Sequence, residues 1–338
     1  MEPIEFGAVR VFPFGLVLAL ALGGCVLWSL KSARGGAEKR CTEIFWLIAL
    51  PLGLLLAHAG YCLDSLDMIG DMLGETLIDL AGGGYLFYGA LAGAAIALSI
   101  ACRRTGTGFA AAADRLAGPF LLFGAACALG EGLIGAGTGW KVEDWFLAEN
   151  SMSLLGSEEP GKLTVFFSRF PFALRDAFYG YAAWAVFLPM ALFLLAGLLI
   201  LRGMKEGQPG NRAVFALSWY AAGRILYESM RQDDIPKWGF VRPNQIFSAV
   251  LLLILLLICW RKAGRGLGGS LLLFLGGVVL CGAMEFALEK KIGFLEWMTM
   301  DVCYAVSCIG CALLFRSTDR LRRMALSKGN PARKGTNR

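Results

Sequence analysis

A chain of 338 residues that is 57% hydrophobic, with a mean hydropathy of +0.61, is too apolar for an ordinary soluble domain of that length. The formal net charge of +6 comes from Lys and Arg in short connections and at the C-terminus, where anionic lipid headgroups attract them, and it carries no nucleic-acid signature. Nearly all of the ten cysteines fall in apolar runs, where a thiol packs as a small apolar residue, so neither a disulfide framework nor a metal or redox site is expected, even at Cys308-Ile-Gly-Cys311.

Nine runs are long enough to cross a bilayer, at approximately 11–30, 44–63, 82–102, 116–138, 180–201, 212–229, 244–260, 268–288 and 298–315. The expected class is all-α, a polytopic membrane helix bundle. The first run follows Glu2 and Glu5 and lacks a small-residue cleavage site, so it reads as a retained span. Basic residues follow the odd-numbered spans: Lys31, Arg34, Lys39 and Arg40, then Arg103 and Arg104, then Arg202, Lys205 and Arg212, then Arg261, Lys262 and Arg265. The connection after the second span holds Asp64, Asp67, Asp71, Glu75 and Asp79 with no Lys or Arg. By the excess of positive charge in inner loops, the N-terminus is expected outside and the C-terminus in the cytoplasm. The long connection 139–179 combines Trp140, Trp145, Phe166 and Phe170 with Lys141, Arg169 and Arg175, which suits the headgroup level or a plain aromatic belt. Residues 317–338 are polar and basic, expected to be disordered or to lie on the membrane surface. There is no tandem repeat and no nucleotide-binding glycine loop.

The sixth run is the chemically rich one. On a helix, Tyr220, Arg224, Glu228 and Arg231 follow at spacings of four, four and three, so they share a face. A charge at mid-membrane depth costs roughly 3 kcal/mol or more, so that face lines protein or water. Arg224, Arg231 and Arg242 together suit phosphate, which Arg grips through two N–H groups; the plainer possibility is an Arg224–Glu228 pair that satisfies itself. Other polar intrusions are His58, Tyr88, Glu131, Gln245 and Glu285. Glu131 sits in the glycine-laden stretch Ala128-Leu-Gly-Glu131-Gly-Leu-Ile-Gly-Ala-Gly-Thr-Gly139 and needs a positive partner, for which Arg224 is the obvious choice. His58, the sole histidine, suits either a general base or a satisfied hydrogen-bond partner.

The run Tyr220-xxx-Arg224-xxx-Glu228-xx-Arg231-Gln-x-Asp234, followed by Asn244-Gln245-Ile-Phe-Ser248, resembles the bacterial prolipoprotein diacylglyceryl transferase family. Gly82-Gly-Gly-Tyr-Leu-Phe-Tyr88-Gly-Ala-Leu-Ala-Gly93 and Val11-Phe-Pro-Phe14-Gly15 extend the resemblance, which covers roughly residues 10–262. The chain departs from the family's signature run: where the family has Arg, two Asn and Glu, it has Ala128, Glu131, Ile134 and Ala136, while the glycines at 130, 135 and 139 remain. The family's Gln-Leu-Tyr-Glu becomes Ala177-Phe-Tyr179-Gly180, and His58 stands for a second-span Arg.

The resemblance implies a diacylglyceryl-transferase-like domain of about seven spans over 1–265; beyond it the apolar runs add two transmembrane helices over 266–316, and the basic tail 317–338 follows. It implies no cofactor, a location in the bacterial cytoplasmic membrane, phosphatidylglycerol or a related phospholipid as donor, and the lipobox cysteine thiol of a prolipoprotein signal peptide as acceptor. Arg224, Arg231, Gln245 and Arg242 are the implied phosphate and lipid ligands. Tyr88, Glu228, Tyr220 and Glu131 are the implied catalytic residues, with Tyr88 or His58 assisting the thiol. The alternative is an inactive member serving as a lipid-binding or partner-binding scaffold. A transporter with Glu131, Arg224 and Glu228 as an ion relay requires inverted repeats, which are not seen.

Overall fold

A computed structural model describes residues 4–6, 9–11, 13–66, 70, 73–79, 84–145, 162–175, 180–205, 207–232, 237–290 and 300–328. Asp67, Asp71, Gly82, Ala177, Tyr179 and Asp234, named above, lie outside the described residues, as does the tail from 329 onward.

Apolar runs fold as helices because lipid offers no partners to backbone N–H and C=O groups, which must then bond within their own segment. In chain order the elements are β1 (Ile4–Phe6), β2 (Val9–Val11), α1 (Pro13–Ser32), α2 (Gly36–Asp64), α3 (Leu73–Ile78), α4 (Phe87–Thr105), α5 (Phe109–Leu133), α6 (Val142–Trp145), α7 (Lys162–Phe167), β3 (Ala173–Arg175), β4 (Ala182–Trp184), α8 (Phe187–Gly203), α9 (Asn211–Met230), α10 (Pro243–Ala263), α11 (Leu267–Lys290) and α12 (Met300–Lys328). The protein is nearly all-helical; the antiparallel pairs β1–β2 and β3–β4 are the departure from the all-α expectation.

Among the described residues six helices, α1, α2, α5, α10, α11 and α12, are long and apolar enough to cross a membrane, against the nine expected, and α8 is apolar but shorter. The predicted third and sixth spans are present as helices α4 and α9 but fall short in composition. Arg103 and Arg104 close α4, and α9 carries Arg212, Arg224 and Glu228. The predicted fifth span begins late, at Phe187, because its first residues pair as strand: Trp184 N–H donates to Trp140 O (3.1 Å) and Gly139 N–H to Trp184 O (2.8 Å).

The expectation for 317–338 is corrected through Lys328. That stretch continues helix α12, with Asp319, Leu321 and Arg322 buried. Asp319 pairs with Arg322 and, at 2.6 Å, with Arg323, the i,i+3 and i,i+4 spacings that support a helix. Arg322 Nη1 also donates to Asn211 Oδ1 at 2.5 Å, which fastens this turn to the start of α9.

Helix association in lipid depends on close packing rather than on escape from water. Gly89 of α4 shows how close: a Cβ there would lie 2.2 Å from Leu56 O of α2. Helix α9 is packed on opposite sides. Tyr220 and Tyr227 belong to one apolar cluster with Leu121, Leu194 and Leu198 of α5 and α8, while Ala221 and Ile225 belong to another with Leu252 and Leu256 of α10 and Leu314 of α12. Helix α1 is the opposite case, with Leu16, Leu20 and Leu27 exposed to whatever surrounds the bundle. The helix that carries the charges is thus the one most enclosed by protein, which removes the lipid-facing cost of those charges.

Candidate functional site

Apart from Arg212 in its first turn, the charged residues of α9 occupy its C-terminal half, where cations complement the partial negative charge of the unsatisfied carbonyls. Arg231 caps the helix, its N–H donating to Tyr227 O at 3.2 Å. Arg242 stands immediately before α10 with Pro243 at the first helical position, where a missing N–H is harmless. Gln245 Oε1 accepts from Arg242 N–H (2.8 Å), and its amide donates to Ile225 O (3.3 Å). Gln245 therefore couples the start of α10 to α9. Arg242 Nη2 makes the second coupling, to Arg231 O at 2.8 Å.

These restraints gather three arginines around two carboxylates. Glu228, with no exposed surface, takes Arg224 Nη2 at 2.5 Å, Arg242 Nη1 at 3.7 Å and Arg231 Nη1 at 3.8 Å, and accepts from Asn244 Nδ2 at 3.0 Å. Glu131, from the last turn of α5, accepts from Tyr227 OH at 2.5 Å and lies 3.3 Å from Arg231 Nη1 and 3.9 Å from Arg224 Nη1. The Tyr227 ring lies beneath both guanidinium groups, 4.9 Å from Arg224 and 5.2 Å from Arg231. Gly137, at φ +69°, brings the chain past this point; a Cβ there would meet Tyr227 OH at 2.4 Å.

Full ionisation of the five groups leaves one net positive charge. The cluster is also under-satisfied: Arg224 Nε, Glu228 Oε2 and Asn244 Oδ1 are buried and have no hydrogen-bond partner among the described residues. An unmade hydrogen bond of this kind costs about 1–3 kcal/mol. The Arg224–Glu228 pair is present, but it does not satisfy itself. Such an arrangement suits an anionic oxygen-rich ligand together with a hydrogen-bond donor or water. Glu131 retains 20% side-chain exposure where Glu228 has none, so Glu131 is the carboxylate of the two that a substrate can reach.

The remaining candidates flank this cluster. Ser248 Oγ donates to Asn244 O at 2.6 Å, which leaves Tyr88 OH as donor in its 2.5 Å bond to Ser248. Tyr220 is part of an aromatic wall, stacked on Phe87 at 4.8 Å and edge-on to Phe120 at 5.2 Å, with Tyr88 at 6.4 Å. His58 has both ring nitrogens against backbone carbonyls, Gly84 O at 3.0 Å and Thr76 O at 2.8 Å, so it is a hydrogen-bond partner that ties the α2–α4 connection to α2.

Sequence reasoning did not single out Tyr227, although its spacing of three from Arg224 and four to Arg231 puts it on their face. Nor did it connect Glu285 of α11 with the site. Ser229 Oγ donates to Glu285, and Tyr304 OH of α12 donates to Ser229 O at 3.3 Å while accepting from Trp140 Nε1 at 2.8 Å. No sequence spacing links such distant segments.

A family model described as prolipoprotein diacylglyceryl transferase matches residues 3–261. The similar curated proteins are phosphatidylglycerol–prolipoprotein diacylglyceryl transferases. The one from Bacillus cereus strain B4264 is 26% identical over 269 residues, 78% of this chain and 92% of its own length. That from Lactobacillus delbrueckii subsp. bulgaricus is 23% identical over 279 residues, 78% of this chain and 91% of its own length. The match contains Glu131, Arg224, Tyr227, Glu228, Arg231 and Arg242, whereas α11 and α12 lie beyond it. With more than half its length matched, the chain belongs to the prolipoprotein diacylglyceryl transferase family.

Proposed function

We propose that this protein is a phospholipid-dependent diacylglyceryl transferase, acting on phosphatidylglycerol and on the lipobox cysteine of a prolipoprotein in the bacterial cytoplasmic membrane. The observation that carries it is the net-positive, under-satisfied arginine cluster inside the family-matched region. In this scheme Arg224 and Arg231, backed by Arg242, hold the donor phosphate. The cysteine sulfur attacks the glycerol carbon that bears the phosphate ester: a C–S bond forms, the C–O bond breaks, and glycerol phosphate leaves with the electron pair. The arginines neutralise the charge that grows on the departing phosphate, an interaction stronger in the transition state than in the ground state.

Glu131 receives the thiol proton, directly or through water, because it is the reachable carboxylate and Tyr227 holds its orientation. Glu228 fixes the arginines. Tyr88 and Tyr220 shape the wall toward the acyl chains, Tyr88 with a hydroxyl to offer.

The finer membrane arrangement is part of the same proposal. Helices α4, α8 and α9 complete nine crossings with the six long apolar ones, the N-terminus is outside and the C-terminus cytoplasmic, and the cluster opens toward the outer leaflet. Residues 1–265 form the transferase domain, with α11 and α12 added to it.

The test is transfer from labelled phosphatidylglycerol to a lipobox-cysteine peptide by purified protein. Transfer by wild type, lost in Arg224→Ala and poorly restored in Arg224→Lys, is expected, since Lys cannot reproduce the two-pronged grip. Lipid binding with no thioether product from wild type would replace the proposal with that of a lipid-binding scaffold.

A further inference from the structure

At the other end of α9, about 24 Å from Glu228 at the helical rise of 1.5 Å per residue, lies a cavity of about 360 Å³ that the transfer chemistry does not use. Three connections surround it: the turn between α1 and α2, the first turns of α5, and the loop entering α9. Arg34, Arg115 and Arg212 line it, against Glu38 and Asp114, so the wall carries one net positive charge.

Both carboxylates are occupied. Asp114 caps α9, accepting from Gly210 N–H at 2.7 Å and from Ala213 N–H at 2.8 Å. Glu38 accepts from Arg34 N–H at 2.9 Å and pairs with Arg115 Nη1 at 2.9 Å. The guanidinium groups are not all satisfied in return. Arg212 Nη2 donates to Leu201 O at 3.1 Å, but its Nε is buried without a partner, and so is Arg115 Nη2. Two arginines that line the cavity thus each keep a buried N–H-bearing atom for which the described residues provide no acceptor. The lining also includes the apolar Trp28 and Pro119, and Arg202 lies 5.5 Å from the Trp28 ring.

We infer that this cavity binds a phosphate-bearing anion, held by Arg115 and Arg212, at a site separate from the arginine cluster of α9. Arg favours phosphate among anions because its fork matches two phosphate oxygens. The volume exceeds that of a bare phosphate and falls in the range of small-molecule pockets, about 300–1,000 Å³, which suits a glycerophosphate-sized group. That group can belong to the headgroup of an anionic phospholipid or to a soluble phosphate ester.

Native mass spectrometry of the full-length protein in nanodiscs separates the two sources. One arm counts lipids retained from phosphatidylglycerol discs. The other titrates glycerol 3-phosphate into phosphatidylcholine discs and reads the bound mass. Arg115→Gln/Arg212→Gln is expected to retain one phosphatidylglycerol fewer than wild type if the source is lipid, or to bind glycerol 3-phosphate at least tenfold more weakly if it is soluble. Wild-type behaviour in both arms overturns the inference. Glu38→Gln guards against a variant that simply misfolds, because it removes the carboxylate competing for Arg115. Binding should tighten several-fold in whichever arm responded, and an unchanged affinity there also overturns the inference.

Discussion

The Tyr227 hydroxyl donates to Glu131 across 2.5 Å, joining α9 to the last turn of α5 at the more accessible carboxylate of the cluster. A hydrogen bond to an ionised group contributes about 1.5–3 kcal/mol, and each 1.4 kcal/mol is a factor of ten in rate. Tyr227→Phe keeps the ring beneath Arg224 and Arg231 and removes only this bond. Diacylglyceryl transfer is expected to fall about 10- to 100-fold with the melting temperature little changed. A wild-type rate would mean that Glu131 needs no such orientation.

Glu228→Ala should act on stability before it acts on rate. Three arginines surround this carboxylate, and removing one partner of a buried ionic cluster costs about 3–5 kcal/mol because the remaining charges lose their compensation. Thermal unfolding in detergent is expected to show a large loss for Glu228→Ala. Glu228→Gln should lose nearly as much, since the amide can still accept from Asn244 but neutralises nothing.

Gly137→Ala tests the backbone at the cluster. A left-handed conformation costs a residue with a Cβ about 1–2 kcal/mol, and here the Cβ also collides with the Tyr227 hydroxyl and comes within 3.3 Å of Glu131 Oε2. Transfer should drop further than in Tyr227→Phe. Equal rates in the two variants would show that the clash is relieved elsewhere.

Truncation after Arg265 removes Phe274, Leu314 and Leu321 from the packing around α9 and α10, and Glu285 from Ser229. The shortened chain is expected to lose its monodisperse peak in size-exclusion chromatography. Glu285→Ala, which removes the hydrogen bond from Ser229, about 1 kcal/mol, together with the contact to Gln245, should keep that peak while transfer falls about fivefold or more.

Much of this site could be read in the sequence because one helix carries most of it. The four, four and three spacing of Tyr220, Arg224, Glu228 and Arg231 is a local property, and α9 runs from Asn211 to Met230 close to the predicted 212–229. The need of Glu131 for a cation followed from burial of charge, though Arg231 and Tyr227 lie nearer to it than Arg224 does. What escaped was non-local or set by polar composition. Ser229 and Glu285 meet across segments with no shared periodicity, the strand at 182–184 pairs with 173–175 and is bonded further by 139–141, and helix α12 persists past its apolar part on the Asp319–Arg322–Asn211 bonds.

Those last bonds have a mechanical consequence. Arg322 grips Asn211 at one terminus of α9, and Tyr304, from the same helix α12, reaches the Ser229 carbonyl at the other. A single rod is therefore pinned at both tips to a second rod alongside it, so α9 cannot piston along its axis or tilt without carrying α12 with it. Any admission of bulky acyl chains must then come from yielding of α4, α5 or the surrounding loops, leaving the arginine-bearing helix as the stationary jaw.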